Sequence, residues 1–341
     1  MTMKHLLLHA AALCLLSIPA WGQNLLLPTD NRSLFEQPSS FFQFVDRDFE
    51  GAKTSPWEGG QFGFVRDPRR LGGRIAYARF HEGLDIKPLQ RDARGVPLDE
   101  VRSVADGIVA YVTATAGMSN YGRYIVVRHD WGQGSFYSLY AHLREAHVTA
   151  GQKVRAGTPL GTLGYTGSGI DLRRAHLHVE LNLFLSSRFE AWYAAGATTP
   201  NHHGVFNGMN LIGMDLQAFY LAQHKNPAIN PAGAVRATES GYRVAVPGEA
   251  SMEILTNYPW LLDGPRPTTP PAGWEVTFSR WGLPLAAKAS ATPVSQPVVT
   301  WVKDAGIPHH LHTRGIVTGS GSTGKLTAEG LRFVKLACGW F

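Results

Sequence analysis

Cysteine is scarce: the chain has two, Cys14 and Cys338. Cys14 lies inside an N-terminal apolar run, so its removal with that run would leave a single thiol. One thiol forms no intramolecular disulfide, and stability must then come from a hydrophobic core or a metal. Long apolar runs are also missing. The strongest, "LLLHAAALCLLSIPA", falls short of the ~20 residues a membrane helix needs and is broken by His9 and Pro19. Lys4 before it and Ala20-Trp21-Gly22 after it, ahead of Gln23, fit a cleaved secretory signal over residues 1–22. A lipoprotein site at Cys14 is the alternative, but the apolar run continues past that residue and no glycine precedes it. The expected location is periplasmic or secreted, with no integral membrane segment once the signal is gone.

Charge of either sign is dispersed. There is no run of five Lys or Arg residues and no recognisable nucleic-acid module, so no nucleic-acid partner is expected. The net charge is nevertheless +6, or +5 once Lys4 leaves with the signal. A basic exported protein is drawn toward anionic partners such as a wall polymer. Internal repeats, low-complexity tracts and recognisable wall-binding modules are absent as well.

Short Val-, Ile- and Tyr-rich runs between Gly or Asn turns fill residues 60 to 185. "GIVAYVTAT", "YGRYIVVRHD", "SFYSLYAHL" and "AHLHVELNLF" read as strands by alternation and β-branched content. The fold class expected is mostly β, with an antiparallel sheet. "SSRFEAWYAAG" and "DLQAFYLAQHK" have helical spacing, the second with Asp215 in its first turn, and "NPAINPAG" (226–233) reads as a linker. Beyond it, "YRVAVPG", "SMEILTN", "WEVTFSR", "VVTWVKD" and "LRFVKLACGWF" suggest a second β-rich unit. The expected organisation is a signal (1–22), an N-terminal extension (23–55), a first β domain (56–185), a helical extension with linker (186–233) and a C-terminal β-rich domain (234–341).

Chemistry concentrates in the first β domain. "RFHEGLD" places His81 and Asp85 four residues apart around Gly83. On a straight strand they would lie about 13 Å apart, too far to share one ion, and Gly83 permits the bend that would join them. "RRAHLHVEL" sets His176 and His178 on one side of a strand, ~6.6 Å apart along the backbone. "YSLYAHL" adds His142. Two histidines and a carboxylate are a standard catalytic zinc set, and two further histidines suit proton transfer and oxyanion stabilisation. The spacing leaves open which member of the His-x-His pair would bind metal.

The order of these pieces resembles the lysostaphin/LytM-type zinc endopeptidases, the M23 family. The residues that carry the resemblance are Gly63, Arg66-x-Pro68, His81-x-Gly83-x-Asp85, Ala105-Asp106-Gly107-x-Val109, Tyr121-Gly122, Tyr140-Ala141-His142-Leu143, Gly151-x-x-Val154-x-x-Gly157, Gly161, Gly164-x-Thr166-Gly167 and His176-x-His178-x-Glu180. They span roughly residues 56–185, and three separated histidine signatures in order make the match specific. The resemblance implies an LytM-type domain with a groove and one Zn2+ per chain, held by His81, Asp85 and His178. His142 and His176 would act on the water and the tetrahedral intermediate. It further implies hydrolysis of peptide bonds in peptidoglycan stem peptides or cross-links, with no serine or cysteine nucleophile.

Two loops depart from the family pattern. "LQRDARGVPLDEVRSVADG" is longer than usual, and "GSGIDLRRAHLH" carries extra residues including Asp171, Arg173 and Arg174. In the family such loops wall the groove, so the substrate is left open. Gly-rich proteins are an alternative substrate, and a non-catalytic activator of wall hydrolases is a second alternative, opposed by the presence of all five histidine and aspartate positions. Arg173 and Arg174 fit either contact with an acidic stem peptide or a solvated loop. His309, His310 and His312 in "IPHHLHTRG", and His202 and His203 in "NHHG", lack a suitably placed aspartate and read as loop or edge histidines. His129 and His147 receive no function. Residues 23–55 are long enough to reach the groove as an inhibitory segment.

Overall fold

The computed structural model describes residues 23–51 and 53–341. The proposed signal, residues 1–22, lies outside them. Among the described residues no helix is long and apolar enough to cross a membrane.

The chain enters the sheets through a hairpin of β1 (Gly63–Leu71) and β2 (Arg74–His81), followed by β3 (Leu84–Ile86) and β4 (Glu100–Arg102). Then come β5 (Gly107–Thr113), β6 (Arg123–Asp130), β7 (Ser135–Leu143), β8 (Glu145–Ala146), β9 (Lys153–Val154) and β10 (Pro159–Thr162). β11 (Leu177–Phe184) and β12 (Leu211–Gly213) complete the first part. The central sheet is antiparallel in the order β12-β11-β7-β6-β5-β9, with β3 also paired to β11. A smaller sheet runs β4-β10-β8. The central residues of β6, β7 and β11 are buried on both faces, as the middle strands of a covered sheet must be.

Three register features position the site. Paired residues in adjacent strands share a face, and β11 places His178 opposite Asp85 of β3 and opposite Ala141 of β7. Ala141 therefore points the same way as His178, and strict alternation would send His142 to the opposite face. A bulge prevents this. Ile125 pairs with Tyr140 but Arg123 pairs with Leu143, which leaves one extra residue in β7. His142 sits there with φ 63°, a left-handed conformation unusual for a side-chain-bearing residue. Its N–H is secured by the Tyr121 carbonyl at 2.9 Å.

The third feature is the bend between β2 and β3. Gly83 occupies it, but for space: a Cβ there would lie 2.5 Å from the Val179 carbonyl and 2.9 Å from His178 Cε1. The missing side chain lets the bend press against β11. On its other edge β3 is pinned by the N-terminal extension. Phe42 bridges to Ile86, and the Gln43 N–H donates to the Asp85 carbonyl at 2.8 Å.

The C-terminal part is a four-stranded antiparallel sheet of β13 (Ser240–Pro247), β14 (Gly273–Ser279), β15 (Pro284–Ser290) and β16 (Val298–Val302), in the order β15-β14-β13-β16. A hairpin of β17 (Val317–Ser320) and β18 (Thr323–Leu326) follows. Two segments expected as strands are helical. "SMEILTN" contains the helix Glu253–Asn257, and "LRFVKLACGWF" lies in the helix Ala328–Cys338 and the turn after it. In the latter, Thr327 Oγ1 accepts the Gly330 N–H as N-cap, Gly330, Val334 and Cys338 bury one stripe, and Gly339 closes the end at φ 66°. The four-residue spacing of that stripe is helical, and Val334 is the segment's one β-branched residue. Helices form as expected at Phe189–Ala194 and at Leu216–Lys225, where Asp215 accepts the Ala218 N–H. At 226–233 the chain passes into a helix, Pro231–Arg236, capped by Asn230 and burying Ala232 and Val235. One continuous apolar cluster runs from Leu25 through β11 to Cys338.

Candidate metal centre and its histidines

His81 ends β2, Asp85 lies in β3, His178 lies in β11, His176 immediately precedes that strand, and His142 occupies the β7 bulge. The fold brings all five together, each at most 7% exposed. Among the described residues, His81, Asp85 and His178 form a group compact enough to hold a metal ion, their ligand atoms lying within 4.8 Å of one another.

The hydrogen bonds on the far sides of the rings set their tautomers. A carbonyl oxygen only accepts, so a ring nitrogen bonded to one must carry the proton. By this rule Nδ1–H of His81 donates to the Gln61 carbonyl at 2.7 Å, and Nδ1–H of His176 to the Arg174 carbonyl at 2.6 Å. Nδ1–H of His142 donates to the Thr166 carbonyl at 2.8 Å. In the neutral rings Nε2 is left as an acceptor. His178 is reversed: Nε2–H donates to Glu180 Oε1 at 2.8 Å, and Nδ1 turns inward. Glu180 Oε1 also accepts the Tyr121 hydroxyl at 2.7 Å.

The inward atoms are therefore all acceptors. Asp85 Oδ1 lies 3.0 Å from His81 Nε2, 3.0 Å from His178 Nδ1 and 3.3 Å from His176 Nε2. His81 Nε2 and His178 Nδ1 are 3.1 Å apart. Lone pairs packed this closely around an anionic oxygen, out of water, require a cation or a proton between them. The donor set of two imidazoles and one carboxylate fits zinc. The second oxygen of Asp85 is occupied separately, since Arg66 Nη2 lies 2.5 Å from Oδ2 and is itself steered by Nε donating to the Gly59 carbonyl at 2.8 Å.

Electrostatics follow this geometry. Burial by itself would raise the Asp85 carboxyl, but His176, His81 and Arg66 around it outweigh burial and hold it well below the usual carboxylate range. Burial, with Arg66 and His178 nearby, lowers His81. Burial, with His176 and His178 beside it, pushes His142 well down, so this ring is neutral at pH 7. His178 goes the other way: burial opposes its charge, but the bonds to Asp85 and Glu180 raise it to about 9.

His142 and His176 stack edge to face, ring centroids 4.7 Å apart, and His142 lies 5.8 Å from His178. The loop under His142 is interlocked. Gly122, at φ 62°, comes so near Thr166 that a Cβ would lie 2.4 Å from its carbonyl carbon. Thr166 Oγ1 accepts the Arg123 N–H at 3.0 Å and donates to the Leu143 carbonyl at 2.8 Å.

Among the described residues, the other histidines singled out in the sequence lie outside this group. His309 and His312 pair with each other at 3.1 Å and are buried, as is His203 against the Tyr111 hydroxyl at 2.9 Å, whereas His310 and His202 are exposed. His129 is buried between the Asp106 carbonyl and Ser138 Oγ. Arg173 is 65% exposed, with Asp46 3.4 Å away. Sequence reasoning assigned no role to Glu180 or Arg66, although the two-residue step from His178 to Glu180 already put both on one face.

A mostly antiparallel β domain thus carries a buried His/Asp/His cluster, a donor set suited to one metal ion, with two histidines adjoining it. Comparison with known proteins gives the family. Residues 79–187 match Peptidase family M23, and this segment is an M23 peptidase domain. An uncharacterized metalloprotease of Haemophilus influenzae is 35% identical over 111 residues, which cover 33% of this chain and 20% of that protein. The peptidoglycan DD-endopeptidase ShyC of Vibrio cholerae is 30% identical over 115 residues, 33% of this chain and 23% of that one. The chain thus spans less than a quarter of the length of these two relatives. The catalytic domain of lysostaphin from Staphylococcus simulans is 20% identical, covers 47% of this chain and 87% of that domain, and superposes with a TM-score of 0.28.

Proposed function

We propose that this protein is an exported, zinc-dependent endopeptidase that hydrolyses peptide bonds in peptidoglycan stem peptides or cross-links. The observation that carries the reading is the convergence of acceptor atoms from His81, Asp85 and His178, with two more histidines at its edge. His81 Nε2, Asp85 Oδ1 and His178 Nδ1 would hold the ion. When bound, zinc supplies Lewis acidity and makes water a nucleophile near neutral pH. The chain's own residues do the rest. His142 is kept neutral by burial and offers Nε2 as a proton acceptor. His176, its ring 4.7 Å from that of His142, lines the same edge, where the oxyanion develops. The protonated His142 ring then returns the proton it took from the water to the leaving amine. Arg66 keeps the Asp85 carboxylate charged and fixed, leaving one oxygen for the ion.

In this reading residues 56–185 are the peptidase unit, preceded by a cleaved signal (1–22) and the packed extension 23–55, and followed by the connecting segment 186–233 and the C-terminal unit 234–341. ShyC supports the substrate class, as does the positive net charge, +5 once Lys4 leaves with the signal, toward an anionic wall. The test is mass spectrometry of fragments released from purified sacculi by the zinc-loaded protein, beside His178→Ala. Cleaved cross-links from the wild type alone identify the bond. No release by a protein that holds zinc overturns the wall substrate, and Gly-rich peptides then become the assay.

A further inference from the structure

The C-terminal sheet packs a turn against the residues that flank His81. The β14–β15 turn, residues 280–283, carries Trp281 at its tip. The turn is tight: Gly282 has φ 100°, and a Cβ there would lie 2.8 Å from the Phe333 ring. Trp281 is half-buried and stacks on Phe80, ring centroids 5.6 Å apart at 16°. It meets Phe62 edge to face at 5.3 Å, and Phe62 meets Phe80 in the same manner at 5.1 Å. Its indole N–H donates to the Gly213 carbonyl at 2.9 Å.

Each of these three contacts is one step from a group that holds His81. Phe80 immediately precedes His81. Phe62 immediately follows Gln61, whose carbonyl fixes the His81 tautomer. Gly213 ends β12, pairs with Asn182 on the strand that carries His178, and passes so near Glu82 that a Cβ would lie 2.8 Å from the Glu82 carbonyl. Aromatic packing of this kind contributes direction as well as burial. Further grips come from the same unit. Arg314 lies over Phe80 at 5.2 Å and pairs with Glu82 Oε1 at 2.8 Å, and Arg74 near the hairpin tip donates to the Gly306 carbonyl at 2.6 Å. The Arg314–Glu82 pair is about one-third exposed and contributes little alone, so the indole is the principal contact.

We propose that Trp281 is a positioning residue for the metal centre, clamping the segments that carry His81 and its Gln61 partner, and that the C-terminal unit is thereby an integral part of the peptidase. This rests on the metal reading given above. Without the indole, Phe62 and Phe80 lose their shared support, and His81 Nε2 is no longer held toward Asp85 Oδ1. Outer partners that orient a ligand typically affect metal affinity by about 10–100-fold.

The test uses the full chain and Zn2+ titrated against a chromophoric chelator, with the Co2+ absorption spectrum as a second readout of ligand geometry. Trp281→Ala is expected to weaken Zn2+ binding at least about tenfold and to alter the Co2+ spectrum. Trp281→Phe, which keeps a ring on Phe80, should restore most of both. Trp274→Ala is the control: Trp274 is 8% exposed in the same sheet but touches none of these residues through an aromatic contact, so it should lower the melting temperature and leave Zn2+ affinity unchanged. If Trp281→Ala does not fold, Trp281→Leu is judged by the same criteria. A folded Trp281 variant with wild-type affinity and spectrum overturns the proposal, as does an equal loss of affinity in Trp274→Ala. A wild-type protein that binds no Zn2+ overturns the metal reading itself, which separates the two failures.

Discussion

Glu180 Oε1 accepts the Nε2–H of His178 at 2.8 Å, and this bond decides which nitrogen of His178 faces Asp85. The carboxylate is buried, and burial alone would raise it, but the bond to His178 outweighs that and keeps it ionised. A neutral amide would orient the ring less firmly and remove the charge that raises ligand basicity. Glu180→Gln should therefore lower zinc affinity by about tenfold or more, while Tyr121→Phe, which removes only the outer bond, should cost less. Chelator competition on the two purified variants gives the order. Equal affinity in Glu180→Gln and wild type would show that the ring is held by packing alone.

The two groups of histidines separate by what their loss removes. His178→Ala deletes an inward acceptor next to Asp85 and should abolish both zinc retention and hydrolysis. His142→Ala leaves His81, Asp85 and His178 in place and should retain zinc while losing hydrolysis by at least about 10²-fold, the scale of general acid–base assistance. Metal content by atomic emission, beside turnover, reads both. The reverse pattern would exchange the roles assigned here.

Gly83 predicts a steric effect with no chemistry in it. A methyl group at that position meets the Val179 carbonyl at 2.5 Å and Glu180 Cγ at 2.9 Å, and backbone cannot swing aside as a side-chain end can. Gly83→Ala should destabilise the fold by about 1–3 kcal/mol and displace β3, carrying Asp85 away from His178. Thermal unfolding and zinc affinity should both fall. A variant as stable as wild type would mean that the β2–β3 bend has room to spare.

Much of this arrangement was legible in the chain. Period-two patterning marked the strands that became β5, β6, β7 and β11, and the glycine between His81 and Asp85 announced a bend. What escaped was set by pairing between distant segments. His142 reaches the cluster because β7 carries one residue too many against β6, and no property of "YSLYAHL" alone reveals a bulge whose partner lies in "YGRYIVV". Arg66 finds Asp85 through a hairpin that folds back over nineteen residues. In the C-terminal part, "LRFVKLACGWF" was dense enough in apolar residues to pass for a buried strand. The four-residue spacing from Gly330 to Val334 to Cys338, with Thr327 before it and Gly339 after, was the local signal for a helix.

Cys338 separates metal chemistry from thiol chemistry. It is 1% exposed, and burial pushes its thiol up to about 12, so it is neither reachable nor ionised near neutral pH. Iodoacetamide should leave activity on wall fragments unchanged, whereas a strong chelator should abolish it and added Zn2+ should restore it. Inactivation by the alkylating reagent without loss of zinc would contradict this.

His129 gives the protein a pH dependence of stability distinct from the metal cluster. Its Nδ1–H donates to the Asp106 carbonyl at 2.8 Å and its Nε2 faces Ser138 Oγ at 2.7 Å. Burial lowers its pKa to about 4, against roughly 6.5 in the unfolded chain. The unfolded state therefore binds the proton more readily. Above pH 6.5 the ring is neutral in both states and its contribution is flat. As pH falls from 6.5 toward 4 the unfolded chain gains protons that the folded one refuses, a loss that approaches about 3 kcal/mol. His81 and His142 are lowered as well, so the comparison must isolate this site. Urea midpoints of the metal-free protein at several pH values between 7.5 and 4.5 should fall more steeply for wild type than for His129→Gln, which cannot titrate there. Parallel curves would assign the acid sensitivity to the other histidines.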